Sequence, residues 1–137
     1  MKNERLPLLA LAVFLGGAIG GACRFALTLV PYLGGWPAMT VFINCLGTLV
    51  LSTLGAYLKS SDEAPAYWQA FIGTGFCGGF TTFSTLMLQD GHNLMTGHVL
   101  LALFLLVSSI ILALGSLAFG QRFGNWLANW KKRRERL

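Results

Sequence analysis

The sequence predicts an all-α membrane protein of four transmembrane helices, the third broken at its centre. Composition, charge spacing and one glycine- and threonine-rich interruption carry that prediction. Of 137 residues, 55% are hydrophobic and 11% charged, with a mean hydropathy of +0.64, far from the balance of a water-soluble domain. Between Leu6 and Gln121 the only charged residues are Arg24, Lys59, Asp62, Glu63 and Asp90. The charge-free runs between them approach or exceed the roughly 20 apolar residues that a helix needs to cross a bilayer. Residues 1–137 therefore read as a single four-span domain.

The first span is expected at about 6–29, with Pro7 in its first turn, where a missing N–H costs nothing. Its Gly16-xxx-Gly20 and Gly17-xxx-Gly21 spacings suit close helix contacts. A loop follows, with Tyr32 and Trp36 as interfacial aromatics among Pro31, Gly34, Gly35 and Pro37. The second span, about 38–58, ends at Lys59, and Ser60, Ser61, Asp62, Glu63 and Pro65 form a polar connection. The third, about 66–89, opens near Tyr67 and Trp68 and contains Gly75-Phe76-Cys77-Gly78-Gly79-Phe80-Thr81-Thr82-Phe83-Ser84-Thr85. A glycine pair at mid-membrane invites unwinding. Unwound backbone at that depth survives only buried in protein or lining a site, where its freed carbonyls can cage a small hard cation. Close packing through Gly75-xxx-Gly79 is the alternative. The fourth span is expected at about 96–119. The tail, 121–137, carries Phe123, Trp126, Leu127 and Trp130 on one helical face ahead of Lys131, Lys132, Arg133, Arg134 and Arg136. That pattern suits a basic amphipathic segment lying along the inner leaflet. A nucleic-acid role is the poorer reading of these cations, which abut a span as topology determinants do.

Four spans put both termini on one face, together with Lys2, Arg5, Lys59, Arg122, Lys131, Lys132, Arg133, Arg134 and Arg136, against Arg24 alone on the other. The positive-inside rule then places the termini in the cytoplasm of a plasma-membrane protein. The first apolar run leads into three more instead of a polar mature domain, which argues against a cleaved signal peptide. Cys23, Cys45 and Cys77 sit singly in apolar runs and are read as small buried side chains, not a disulfide framework. No ligand cluster, paired carboxylate or phosphate loop is apparent, so an enzyme is not expected. His92 and His98 read as interfacial polar residues. No acidic residue lies mid-span to carry a coupling proton. What remains is uncharged polarity. Asn44 must find a partner or face water, and interhelical glue and an ion pathway both satisfy it.

Three stretches resemble the Fluc (CrcB) family of microbial fluoride channels: Gly16-Gly17-Ala18-Ile19-Gly20-Gly21-Ala22-Cys23-Arg24-Phe25, Asn44 with Gly47, and above all the Gly75–Thr85 segment. The likeness covers nearly the whole chain, and the third stretch is its most specific part. The resemblance implies a passive fluoride exporter built as an antiparallel dimer, with two fluoride pathways and a structural sodium ion at the interface. It assigns sodium to the backbone carbonyls of Gly78 and Thr81. It places Asn44, Phe83, Ser84, Thr85 and Ser109 along the ion path. A phenyl ring's edge is the positive end of its quadrupole and can face an anion without trapping it. Arg24 resembles an arginine that draws anions to the mouth; a plain snorkelling arginine is the equal alternative.

The chain also departs from the family pattern. Leu86 stands three positions after Phe83, where a second pore phenylalanine is usual, Gln89 replaces a glutamate, and Ala113 replaces a serine. Single-chain homodimers of the family tend to have balanced loop charges, whereas the bias here is nine to one. The expected partner is therefore an oppositely oriented second subunit, either this chain or a homologous paralogue. Two rival readings remain: a non-conducting or half-pore subunit of a heterodimeric channel, favoured by Leu86, and a small multidrug-type transporter, disfavoured by the missing membrane acid.

Overall fold

The computed structural model describes residues 5–31, 37–60 and 66–134. Helix α1 spans Arg5–Thr28 and α2 spans Pro37–Ser60. Proline suits the first position of α2, because its fixed φ is already helical and its missing donor would be unpaired there anyway. The third span is composite. α3 covers residues 66–80 and includes a π-helical segment over Gln69–Cys77, and α4 covers Phe83–Met95. Thr96 to His98 make a tight turn in which Gly97 takes φ 82°, a left-handed value open to glycine. α5 then runs from Val99 to Arg134. The Tyr32–Trp36 loop, the connection from Ser61 to Pro65, Lys2 and Arg136 lie outside the described residues.

Four stretches are long and apolar enough to cross a membrane: Arg5–Thr28, Pro37–Ser60, Ala66–Met95 and Val99–Arg134. Their order makes α1 and α3 neighbours that run the same way, with α2 and α5 a second such pair. Small residues set both contacts. Gly16 and Gly20 of α1 lie against the backbone of Phe71 and Phe76, and Gly75 and Gly79 of α3 lie against Val13, Gly16 and Gly17. A Cβ at Gly16, Gly20 or Gly79 would strike a carbonyl oxygen of the facing helix, so glycine permits the approach. The Gly75-xxx-Gly79 spacing is thus a helix contact, and the two glycines stay helical.

In the second pair, Gly120, Gly124 and Ala128 are buried on one stripe of α5, the first two against Leu49, Ser52, Thr53 and Ala56 of α2. That stripe carries the helix through the boundary expected near residue 120. The fourth span and the tail are one continuous 36-residue helix, about 54 Å long at ~1.5 Å per residue. Of the residues read as the tail's apolar face, Phe123, Trp126 and Trp130 are exposed and Leu127 is half-buried.

The cysteines correct the expectation in part. All three are free, but only Cys77 is buried; Cys45 is half-buried and Cys23 exposed. Cys23 lies one turn beyond Gly20, near the end of α1, where it is exposed.

Candidate functional site at the helix break

The site forms where the third span gives way. Between α3 and α4, Thr81 (φ −78°, ψ 155°) and Thr82 (φ −150°, ψ 118°) are extended. Gly78, by contrast, has helical angles of −64° and −38°. The chain therefore breaks at the threonines and not at the glycine pair.

Opening backbone inside an apolar span strands peptide groups, and side chains take over their bonds. Asn44 holds Thr82 in both directions: its Nδ2 donates to the Thr82 carbonyl at 2.9 Å, and its Oδ1 accepts from the Thr82 N–H at 2.8 Å. Thr82 in turn caps α4, its hydroxyl accepting from the Thr85 N–H at 3.2 Å, a role threonine favours. The Thr81 hydroxyl donates back to the Cys77 carbonyl at 2.9 Å. Gly47, one turn beyond Asn44, makes room for the Thr81 methyl, which a Cβ would strike. The Asn44–Gly47 pair thus acts as a unit: one residue fastens the break and the other admits it.

These substitutions release carbonyls. In an unbroken α-helix the Thr82 N–H would bond to the Gly78 carbonyl, and the Thr85 N–H to that of Thr81. Both donors are engaged elsewhere. Gly78 and Thr81 line a cavity of about 410 Å³ together with Asn44, Gly47, Thr82 and Phe83, and none of the lining residues is acidic. Phe83 is 69% exposed at its rim.

Of the anticipated residues, the fold brings together Asn44, Gly78, Thr81 and Phe83. Ser84 and Thr85 stand beside the cavity, their hydroxyls 3.3 Å and 3.0 Å from the Thr82 hydroxyl. Ser109 is apart on α5, 8% exposed, donating to the Leu106 carbonyl at 2.8 Å. Arg24 is half-exposed near the end of α1 and does not line this cavity. Leu86 is 3% exposed: it faces the interior of the protomer, whereas Phe83 faces out. His92 and His98 are exposed, and Nδ1 of His98 lies 3.0 Å from the Thr96 hydroxyl. Among the described residues, no group of three or more His, Cys, Asp or Glu could hold a metal ion.

Two features escaped the sequence reading. Thr82, a capping residue immediately before the next helix, is a helix-start signal, and it marks the break more closely than the glycines do. Asp90 reads as the charge that ends the third span, yet it is 6% exposed. Both its carboxylate oxygens are buried without a hydrogen-bond partner among the described residues, as are Gln89 Oε1 and Asn93 Nδ2.

Comparison with known proteins agrees with this architecture. A family profile described as CrcB-like protein, Camphor Resistance (CrcB), matches residues 11–121. The chain is 41% identical over 115 residues to the fluoride-specific ion channel FluC 2 of Bacillus subtilis, covering 81% of this chain and 86% of that protein. It is 40% identical over 125 residues to the fluoride-specific ion channel FluC of Erythrobacter litoralis, covering 83% and 90%. With the FluC of Thermococcus gammatolerans it shares 37% over 112 residues, covering 76% and 91%. The matched region takes in the glycine contacts of α1, the Asn44–Gly47 pair and the whole broken span, and the chain is a multi-pass membrane protein of the CrcB family.

Proposed function

We propose that this chain is a subunit of a fluoride channel that lets the anion leave the cytoplasm passively. The observation that carries this reading is the cavity at the break, where an amide, two released carbonyls and a phenyl ring meet without an acidic side chain. The names of the relatives supply the ion. Hydrofluoric acid crosses lipid as a neutral molecule and ionises at cytoplasmic pH, so the trapped anion needs a path and no energy source. Such a path must replace water around the ion with donors that also release it. Asn44 has one amide hydrogen on the Thr82 carbonyl and a second left for an anion. The exposed Phe83 ring would turn its edge to the ion, and the Ser84 and Thr85 hydroxyls would continue the polar surface. Ser109 and Arg24 would join the path only through groups beyond this protomer's cavity.

A structural sodium ion suits the residues present. The diversion of the Thr82 and Thr85 N–H groups leaves the Gly78 and Thr81 carbonyls as neutral oxygen donors, the ligand type a hard cation takes. Gly78 and Thr81 would hold it, and when bound it would supply a fixed positive charge that joins two protomers.

The partner in this reading is an antiparallel second subunit, with the termini of this chain in the cytoplasm. The nine-to-one cationic bias favours a homologous chain of opposite orientation over self-pairing. Fluoride efflux from liposomes, recorded with a fluoride electrode, tests the whole proposal. Efflux is expected when the chain is reconstituted with an oppositely oriented homologue, or alone if it inserts both ways. Impermeable vesicles in both preparations would overturn it.

A further inference from the structure

We propose that the polar groove between α2 and α5 is the mouth through which anions reach the cavity at the break, with Lys59 as its collecting charge, a route and a residue that rest on the channel reading. The groove encloses about 540 Å³, and its lining includes Ser52, Gly55, Lys59, Gln121 and Asn125. Lys59 ends α2 on the side where α1 begins, so the groove opens toward the face that holds the termini. No acidic residue lines it. Ser60 donates its hydroxyl to Asn125 Oδ1 at 3.3 Å, which leaves both Nδ2 hydrogens of Asn125 for another acceptor. The Lys59 ammonium and the Gln121 carboxamide have no hydrogen bond or ion pair among the described residues. Donors without acceptors, one positive charge and no carboxylate complement an anion.

The groove also continues the break cavity along one helix. At about 100° per residue, Asn44, Thr48, Gly55 and Lys59 fall within about 60° of one another around α2. Asn44, Thr48 and Leu51 line the cavity, and Gly55 and Lys59 line the groove. Leu51 and Gly55 are one turn apart, so only about 6 Å of helix separates the two spaces. An anion gathered at Lys59 therefore stands at the head of a track that leads to the Asn44 amide, about 22 Å along α2. Gly55 keeps that track open, since a Cβ there would meet nothing within 4 Å. A lysine that only fixed the orientation of α2 would exert no effect on flux, and a lysine that collects anions must lose its effect when salt screens it.

Fluoride efflux from phosphatidylcholine liposomes, with the full chain alone and with its oppositely oriented homologue, is measured at about 0.01 M and about 1 M ionic strength, where charges are screened over ~30 Å and ~3 Å. Lys59→Gln is expected to slow efflux about threefold at the lower ionic strength, the enrichment one charge gives an anion ~7 Å away in water, and to match the parent at the higher. Lys59→Arg should match the parent at both, and Lys59→Glu should slow efflux about tenfold at the lower. Gly55→Leu, which adds a side chain to the groove without a clash in the protomer, should elute as the parent does on gel filtration and slow efflux at both ionic strengths. With a conducting parent, three results would each overturn the groove as a mouth while leaving the channel reading intact: Lys59→Gln at the parent rate in low salt, Lys59→Gln slowed equally at both ionic strengths, or Gly55→Leu at the parent rate. A parent that conducts in neither preparation overturns the channel reading and the role of Lys59 with it.

Discussion

Two regions of the third span solve opposite problems with neighbouring residues. Along α1, Gly75 and Gly79 let two backbones touch by presenting nothing. Two residues further on, Thr81 and Thr82 leave the helix, and Asn44 and the threonine hydroxyls replace the backbone bonds that are lost. The glycines here are the rigid part, and the broken part is made of polar side chains. The contrast shows that flexibility of residue type does not locate a break in a membrane helix: it falls where side chains can satisfy the exposed peptide groups.

The sharpest way to separate the regions is to substitute the two adjacent glycines. Gly79→Leu drives a side chain into the Gly17 carbonyl, whereas a Cβ at Gly78 meets open space within the protomer. Gly79→Leu is expected to cost more than ~3 kcal/mol, beyond ordinary overpacking because backbone must move, and to give no monodisperse peak on gel filtration. Gly78→Ala should elute as the parent does. If both variants behave alike, the helix contact is not what Gly79 provides.

Next in size is Asn44. Asn44→Leu removes both bonds to Thr82, leaving a buried N–H and a carbonyl at about 1–3 kcal/mol each. Fluoride efflux should fall at least about a hundredfold by the free-energy conversion for such a loss. Asn44→Asp keeps an acceptor for the Thr82 N–H but offers no donor to its carbonyl or to an anion. It should remain folded and still not conduct. Efflux at the parent rate from either variant would remove Asn44 from both the clamp and the path. A smaller effect belongs to Phe83, whose exposed ring carries little of the fold. Phe83→Ile should leave thermal stability unchanged and lower efflux about three- to tenfold, the worth of one well-placed ring edge.

The spans were legible because lipid demands long apolar helices and few charges, and Arg24 and Lys59 lie near the ends of the first two, whereas Asp90, read as the end of the third, is buried inside it. The residues of the cavity were legible too, since Gly78, Thr81 and Phe83 belong to one specific stretch and Asn44 to the separate Asn44–Gly47 motif. The position of the break was not. Glycine weakens a helix in isolation, but Gly75 and Gly79 are held by α1, and that contact depends on residues some sixty positions away. Nor was the continuity of α5 legible: Gly120 and Gly124 look like a helix end in sequence, and their packing on Ser52, Thr53 and Ala56 makes them the opposite.

Leu86 gives the finest test of the comparison, because the family pattern and the fold assign it differently. By pattern it stands where a second phenylalanine would face the ion; in this protomer it is 3% exposed, on the same buried face as Asp90 one turn later. If the fold governs, Leu86→Phe adds volume to a filled interior, which costs about 1–3 kcal/mol, and contributes no ring edge to the path. Thermal stability should fall by a few degrees while efflux stays within about twofold of the parent. A gain in efflux without loss of stability would mean that this face turns toward the ion in the assembled channel, and that α4 rotates relative to Thr82 when its partner binds.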